Sequence, residues 1–206
     1  MILRIAVGVT ARRFNVVFVT IASIPYIYNE LLLEQISIVK KFGPKLKFEH
    51  LSEMKVLDSV ILESLRLNVS STMFPRYTKS EYISSSGTCI PKDVYVGINV
   101  LTHNRNPKIF GKNASFFDHK RFLKDNCSFG DVSTKNLNWG VGPRMCLAKD
   151  YAVAICKMLF AILIRNYKFS TMTKPIDINA PFPRNLKTRS PLVYFTPHPP
   201  NTFPSS

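Results

Sequence analysis

One ten-residue stretch constrains this chain more than any other. It runs Trp-Gly-Val-Gly-Pro-Arg-Met-Cys-Leu-Ala from Trp139 to Ala148 and leads into an apolar run, Tyr151 to Ile164, that predicts a helix. A glycine-rich turn therefore delivers Cys146 to a helix N-terminus. Unpaired backbone N–H groups and the helix dipole at such a position favour the thiolate form of a cysteine over the thiol.

The chemistry of this stretch suits a haem group. A cysteine thiolate on haem iron pushes electron density toward O–O cleavage. Gly140 and Gly142 allow a tight bend and a close approach of the backbone to a flat ligand. Arg144 stands two residues before Cys146, where it can pair with a haem propionate through charge-assisted hydrogen bonds. The sequence therefore predicts Cys146 as the axial iron ligand and Arg144 as a propionate partner.

The prediction of an iron ligand does not extend to all four cysteines. A lone cysteine before an apolar helix is usually a small buried hydrophobe. We adopt that interpretation for Cys89, Cys127 and Cys156. For Cys146 the aromatic, glycine and arginine residues at fixed spacing favour a ligand instead.

The stretch resembles the haem-binding loop of the cytochrome P450 superfamily, whose pattern is Phe-x-x-Gly-x-Arg-x-Cys-x-Gly. Trp139, Gly142, Arg144 and Cys146 stand at pattern positions, with Trp139 in place of the usual Phe and Ala148 in place of the last Gly. The resemblance implies a haem b cofactor, contacted by these four pattern residues and ligated by Cys146.

Two further segments resemble the family in the same order. Glu63 and Arg66 match its Glu-x-x-Arg pattern, and residues 117–122 resemble Phe-x-Pro-x-Arg-Phe, with His119 at the usual proline and Arg121 kept. The resemblance implies a buried ion network of Glu63, Arg66 and Arg121. Such a network must be complete, because a missing partner leaves an uncompensated charge.

Two sites rest on weaker matches. The segment from Met73 to Arg76 resembles the one that passes over the haem, which makes Arg76 a candidate second propionate partner. In the first helix, Gly8 and Val9 fall where the family has an acid and a threonine. Thr10 matches only the second threonine and is the weak catalytic candidate. The alternative for Thr10 is a helix residue that bonds back to its own backbone.

Elements predicted from the pattern give a mainly α fold with a small β component. Helices are predicted over residues 2–24, 26–41, 48–67 and 151–165, with short strands in residues 69–99 and a strand at 192–195. The chain then divides into helices up to the Glu-x-x-Arg helix (1–67), a small β region (68–100), a meander with the cysteine loop (101–148), and the final helix with a β segment and tail (149–206).

The charge leaves several partner classes open. The chain has 206 residues and a net charge of +15, which suits an anionic membrane, an acidic protein or a solvated basic surface. We predict no nucleic-acid partner, because no basic run is interleaved with aromatic residues. The uncharged run Phe14 to Asn29 is short for a membrane span. No anchor is therefore predicted, membrane association stays open, and the location is cytosol-facing or at the endoplasmic reticulum surface.

The resemblance covers nearly the whole chain but only the C-terminal, haem-binding part of the family fold. It implies an incomplete haem-thiolate monooxygenase of fungal type, from secondary metabolism. Such an enzyme inserts one oxygen atom into an apolar small-molecule substrate, with electrons from NADPH through a reductase. Two alternatives remain: a haem-binding protein without catalytic activity, and a non-functional fragment of such an enzyme.

Overall fold

The computed structural model describes residues 2–68, 72–172, 174–183, 192–200 and 202–203. Contacts divide the chain into two compact units, Met1–Asn68 with Ser115–Ser206, and Val69–Ala114. The predicted mainly α fold with a small β component is confirmed.

The larger unit begins with two helices separated by one residue. Helix α1 spans Ile2–Ser23 and helix α2 spans Pro25–Phe42. Pro25 suits the first position of α2, because its missing N–H group would have no intrahelical partner there. Gly43 ends α2 with a φ of 83°, a backbone conformation that glycine adopts without steric cost, and its N–H group donates to Val39 O at 2.8 Å.

The prediction of a single helix over residues 48–67 is wrong. The structure has a 3-10 helix at Phe48–Glu53, a break at Met54, and helix α3 at Lys55–Leu67. The break has a physical cause in Glu34 of α2. Its carboxylate accepts hydrogen bonds from Val56 N (2.6 Å) and Leu57 N (3.2 Å), which satisfies N–H groups that the first turn of a helix leaves unpaired.

The smaller unit contains the predicted short strands. Strand β1 (Thr72–Tyr77) pairs antiparallel with β4 (Tyr95–Asn99), and β2 (Tyr82–Ile83) pairs with β3 (Cys89–Ile90). Helices α4 (Val100–Asn104) and α5 (Pro107–Phe110) follow.

Two of the cysteines expected to be buried are not. Cys89 is exposed and Cys127 is partly exposed, whereas Cys156 is buried as predicted. Cys89 lies in a ribbon of two strands with two paired residues each, which is too small to bury a side chain between layers.

The chain returns to the larger unit through the short helix α6 (Arg121–Lys124) and two 3-10 turns, Leu137–Trp139 and Gly142–Arg144. Helix α7 spans Lys149–Asn166. Strand β5 (Tyr167–Thr171) follows it directly and pairs antiparallel with β6 (Val193–Pro197).

The core of the larger unit lies between α1, α2, α3 and α7. Phe160 of α7 is fully buried, and its ring centroid lies 4.5 Å from that of Phe18 on α1. The Phe18 ring centroid also lies 5.7 Å from that of Phe169 on β5, so the strand pair packs against the helical core. Other fully buried side chains on these helices are Ile21, Ile27, Leu31, Leu57, Ile61, Leu62 and Ile164.

No single helix in the described part of the chain is long and apolar enough to cross a membrane. Residues of α1 and α2 meet that length and composition together, but the pair is bent by 104°.

Glu34 predicts a pH-dependent stability. Burial raises its pKa from an ordinary 4.5 to about 7, against the opposing effect of the two backbone N–H donors. The folded protein therefore holds a proton here more tightly than the unfolded chain, and this stabilisation is lost as pH rises through 7. We measure the free energy of unfolding in urea at pH 5 and at pH 8. Over this range we expect it to fall by about 1–3 kcal/mol more in the wild type than in Glu34→Gln.

Glu53→Gln is the control. The hydrogen bond with Lys41 lowers the pKa of Glu53, whereas the pKa of Glu34 is raised. If the free energy of unfolding changed equally with pH in the wild type and in Glu34→Gln, the role given to Glu34 would be contradicted.

Candidate functional site

The cysteine loop is a closed turn built on two glycines. Gly140 has a φ of 74° and Gly142 a φ of 69°, both in the left-handed region that side chains disfavour. The Cys146 N–H group donates to Trp139 O at 2.9 Å, which joins the two ends of the loop. The glycines predicted from the sequence to bend the backbone therefore do so.

Trp139 supports the loop from the protein side. It is buried, its indole N–H group donates to Phe129 O at 2.7 Å, and the two rings lie 5.0 Å apart. A buried indole needs such a partner for its N–H group. Trp139, which the sequence predicts to contact haem, therefore also fixes the start of the loop.

The Cys146 thiol lies on an open, apolar rim. Cys146 is exposed, and so are its neighbours Val141, Met145 and Leu147, the last one fully. A Cβ atom added to Gly142 would meet nothing within 4 Å. The loop therefore leaves room for a large flat apolar group in front of it.

The donor set fits haem better than a bare metal ion. The described residues contain no group of three or more His, Cys, Asp and Glu side chains that could hold a metal ion. A metal with Cys146 as its one protein ligand must bring its remaining ligands with it, as haem iron does. Arg144, on the same loop, is exposed and can reach an anionic group.

The structure brings Glu63, Arg66 and Arg121 together. Arg66 donates from Nε and Nη2 to the two oxygens of Glu63 at 2.7 Å each, and Arg121 Nε lies 3.2 Å from Glu63 Oε1. The Asp118 N–H group donates to the same oxygen at 2.9 Å. The exposed fractions of the Glu63, Arg66 and Arg121 side chains are 0%, 3% and 8%, so this is an ion network shielded from water.

His119, at the usual proline position, is held in place by other means. Its Nε2 lies 2.7 Å from Glu30 Oε2 of α2, its ring packs edge-on against Tyr26 at 5.4 Å, and its carbonyl accepts a hydrogen bond from Ser59 Oγ. Proline would restrain this turn through its ring. Side-chain contacts restrain it here, next to Arg121, and Glu30 was not foreseen because it lies far away in the sequence.

The remaining predicted site residues, Arg76 and Thr10, belong to elements other than the loop. Arg76 belongs to the smaller unit, on β1, where it is exposed and donates to Pro75 O at 2.9 Å. Thr10 is half-buried on α1, Val9 is 45% exposed, and a Cβ atom at Gly8 would meet nothing within 4 Å.

Sequence reasoning missed Arg13. It is half-buried on α1, and its Nη1 donates to Asn138 Oδ1 at 3.4 Å, one residue before Trp139. Burial lowers the pKa of Arg13. A signal was present, because Arg13 stands one helical turn after Val9 on the predicted helix.

The ion network predicts a large loss of stability on truncation. Glu63→Ala would leave two buried guanidinium groups without their carboxylate, and we expect a loss of about 3–5 kcal/mol in the free energy of unfolding. Glu49→Ala is the matched control, because Glu49 is 72% exposed and its ion pair with Lys47 spans 3.5 Å. A loss below about 1 kcal/mol for Glu63→Ala, typical of exposed pairs, would show that the network carries no stability.

Comparison with known proteins agrees with this geometry. The cytochrome P450 family profile matches residues 9–195. Probable cytochrome P450 313a1 of Drosophila melanogaster is 31% identical over 131 residues, which cover 64% of this chain and 26% of that protein. Pyrichalasin C-7 hydroxylase of Pyricularia grisea is 30% identical over 156 residues, 71% of this chain and 31% of that protein. Protopanaxadiol 6-hydroxylase of Panax ginseng is 31% identical over 170 residues, 80% of this chain and 35% of that protein.

The chain thus spans about a quarter to a third of the length of the curated relatives it matches. The family profile covers most of the chain, including the Glu63–Arg66 pair and the Cys146 loop. The chain belongs to the cytochrome P450 family.

Proposed function

We propose that this chain binds haem b through the Cys146 thiolate and acts as the haem-binding part of a monooxygenase. The observation that carries the proposal is the exposed thiol on a closed glycine turn, with an apolar rim and an anchored tryptophan behind it. One accessible cysteine sulfur, with no cluster of other metal-binding side chains among the described residues, suits the axial ligation of haem in oxygen-activating enzymes.

Each site residue has a separate task in this proposal. Cys146 supplies the axial sulfur, Arg144 and Arg76 pair with propionates, and Gly142 keeps the loop surface free of a side chain. The network of Glu63, Arg66 and Arg121 holds α3 against the segment that precedes the loop. When bound, haem supplies the iron at which dioxygen is activated, with NADPH electrons that arrive through a reductase.

The substrate class follows from the relatives by analogy. Two of them are named as hydroxylases, one of pyrichalasin and one of protopanaxadiol, which supports insertion of one oxygen atom into an apolar small molecule. We further propose that the chain corresponds to the C-terminal part of the family fold. A fungal origin in secondary metabolism stays a prediction, because insect, plant and fungal relatives match at similar identity.

The reductase is the proposed protein partner, and the basic net charge of +15 supports an acidic docking surface on it. Lys149 contributes little to such docking, because its Nζ already contacts Gly130 O at 3.0 Å and Asp150 Oδ1 at 2.6 Å. A location at the surface of the endoplasmic reticulum membrane, or one facing the cytosol, accords with this partner.

A second candidate function is a haem protein without oxygenase activity. It is favoured by α1, where Gly8 and Val9 replace the acid and threonine that deliver protons in the family. Val7 is 60% exposed and Val9 is 45% exposed, so water reaches this face of the helix. Proton delivery by positioned groups and exclusion of water both support productive oxygen chemistry.

Carbon monoxide binding tests the ligand assignment. The reduced, haem-loaded chain should show the red-shifted Soret band of thiolate ligation when carbon monoxide is added, and Cys146→Ser should abolish it. Cys89→Ser is the control, since Cys89 is also exposed but lies in the other unit. The same band in Cys146→Ser and wild type would exclude Cys146 as the ligand.

Oxygen consumption separates the two candidate functions. With a reductase and NADPH, we expect the chain to consume oxygen mainly with release of peroxide, because Gly8 and Val9 cannot relay protons. Peroxide and hydroxylated product are measured against NADPH consumed. Val9→Thr should increase the coupled fraction, and tight coupling in the wild type would contradict the role given to these positions.

A further inference from the structure

A cavity of about 390 Å³ lies between α2 and the start of α3. Leu33, Glu34, Ser37 and Ile38 line it from α2, at the spacing that puts side chains on one side of a helix. Val56 lines it from α3. The cavity has the size of a small-molecule site, and it combines apolar side chains with a few polar groups, as such sites do.

Two further carboxylates of the lining, Glu30 and Glu53, already have cationic partners. The Glu30 carboxylate lies 2.7 Å from His119 Nε2 and 3.7 Å from Lys120 Nζ. The Glu53 carboxylate lies 2.9 Å from Lys41 Nζ. The protein itself therefore supplies the countercharge for both of these groups.

Glu34 is the lining carboxylate without a cation. Its two oxygens accept hydrogen bonds from the neutral donors Val56 N (2.6 Å) and Leu57 N (3.2 Å). Among the residues that the structure describes, Glu34 forms no ion pair, and the Lys157 ammonium in the core is held by Asp58 at 2.8 Å. Each carboxylate oxygen can accept a second hydrogen bond. A partly buried carboxylate with unbalanced charge thus lines a cavity that also has apolar walls.

The lining selects the kind of cation. Ca²⁺ and Mg²⁺ need about six or more oxygen ligands, whereas one unpaired carboxylate and the Ser37 hydroxyl stand here among apolar side chains. A guanidinium pairs best through two parallel hydrogen bonds, but both Glu34 oxygens already hold a backbone N–H group. A primary ammonium group needs a single acceptor position, and an attached chain can cover Leu33, which is 65% exposed.

We propose that the cavity between α2 and α3 binds a small organic cation, a primary ammonium group on a short apolar chain. The ammonium group donates to the Glu34 carboxylate, and the chain packs against Leu33 and Val56. The site involves neither haem nor the cysteine loop, so it stands apart from the proposed function.

Titration of the full chain with hexylammonium chloride, followed by calorimetry at pH 8, tests the site. 1-Hexanol is the matched ligand control, because it has the same chain without the charge. We expect hexylammonium to bind about tenfold or more tightly than hexanol, from its ion pair with a partly buried carboxylate. Equal affinities of the two compounds would overturn the proposal.

A pH series shows whether Glu34 is the group that holds the ammonium. Burial raises the pKa of Glu34 to about 7, whereas an alkylammonium stays charged up to about pH 10. The ionised carboxylate binds the cation, so affinity should fall about tenfold or more from pH 8 to pH 5.5.

The other charged groups around the cavity remain in Glu34→Gln, so the difference between the two pH profiles reports Glu34. These groups are Glu30, Lys41, Glu53, Asp58, His119, Lys120 and Lys157. Identical pH profiles in the wild type and in Glu34→Gln would contradict the role given to Glu34.

Two variants complete the test at pH 8. Glu34→Gln should weaken hexylammonium binding about tenfold, and Glu49→Gln, at an exposed carboxylate outside the lining, should leave it unchanged. Ser37→Lys places an ammonium group one turn after Glu34, at an exposed position that the fold tolerates, and should block binding. Unchanged hexylammonium affinity in Ser37→Lys, or in a folded Glu34→Gln, would overturn the proposal, whatever the carbon monoxide spectrum shows about haem.

Discussion

The larger unit depends on the ion pairs and hydrogen bonds of the Glu63 carboxylate. It is fully buried, and it accepts hydrogen bonds from two guanidinium groups and one backbone N–H group. These donors come from α3 itself and from the segment that begins α6, so one side chain joins a helix to the approach of the cysteine loop. A buried carboxylate of this kind is tolerated only because every oxygen has a charged partner.

Around this network, the chain restrains the cysteine loop from several directions. His119 attaches the segment before α6 to Glu30 of α2, and Trp139 attaches the loop to Phe129. Arg13 reaches the loop from α1 through Asn138. Val141, Met145 and Leu147 of the loop are apolar and exposed, and the thiol is accessible while its backbone is fixed.

Much of this arrangement could be predicted from short sequence patterns. The limits of α1 and α2 follow from Pro25 and Gly43, and the bend of the loop follows from Gly140 and Gly142, because these residues act through local backbone geometry. The ion network was predicted from a family resemblance. In the structure the side chains of Glu63, Arg66 and Arg121 are in contact.

What could not be predicted depends on contacts between distant residues. The break at Met54 arises because Glu34, on another helix, caps α3, and His119 is anchored by Glu30 on α2. Exposure of Cys89 follows from the small size of its ribbon, and a cysteine in a short apolar run gives no sign of that. Arg13 escaped notice because only tertiary packing brings α1 to the loop.

X-ray absorption at the iron edge of the haem-loaded chain tests the central claim, that Cys146 ligates iron, most directly. Sulfur scatters more strongly than nitrogen or oxygen and lies farther from the metal, so an axial thiolate gives a distinct shell. The account predicts an iron–sulfur shell of one sulfur atom in the wild type and its loss in Cys146→Ser. A wild-type spectrum with nitrogen and oxygen neighbours alone would contradict the assignment.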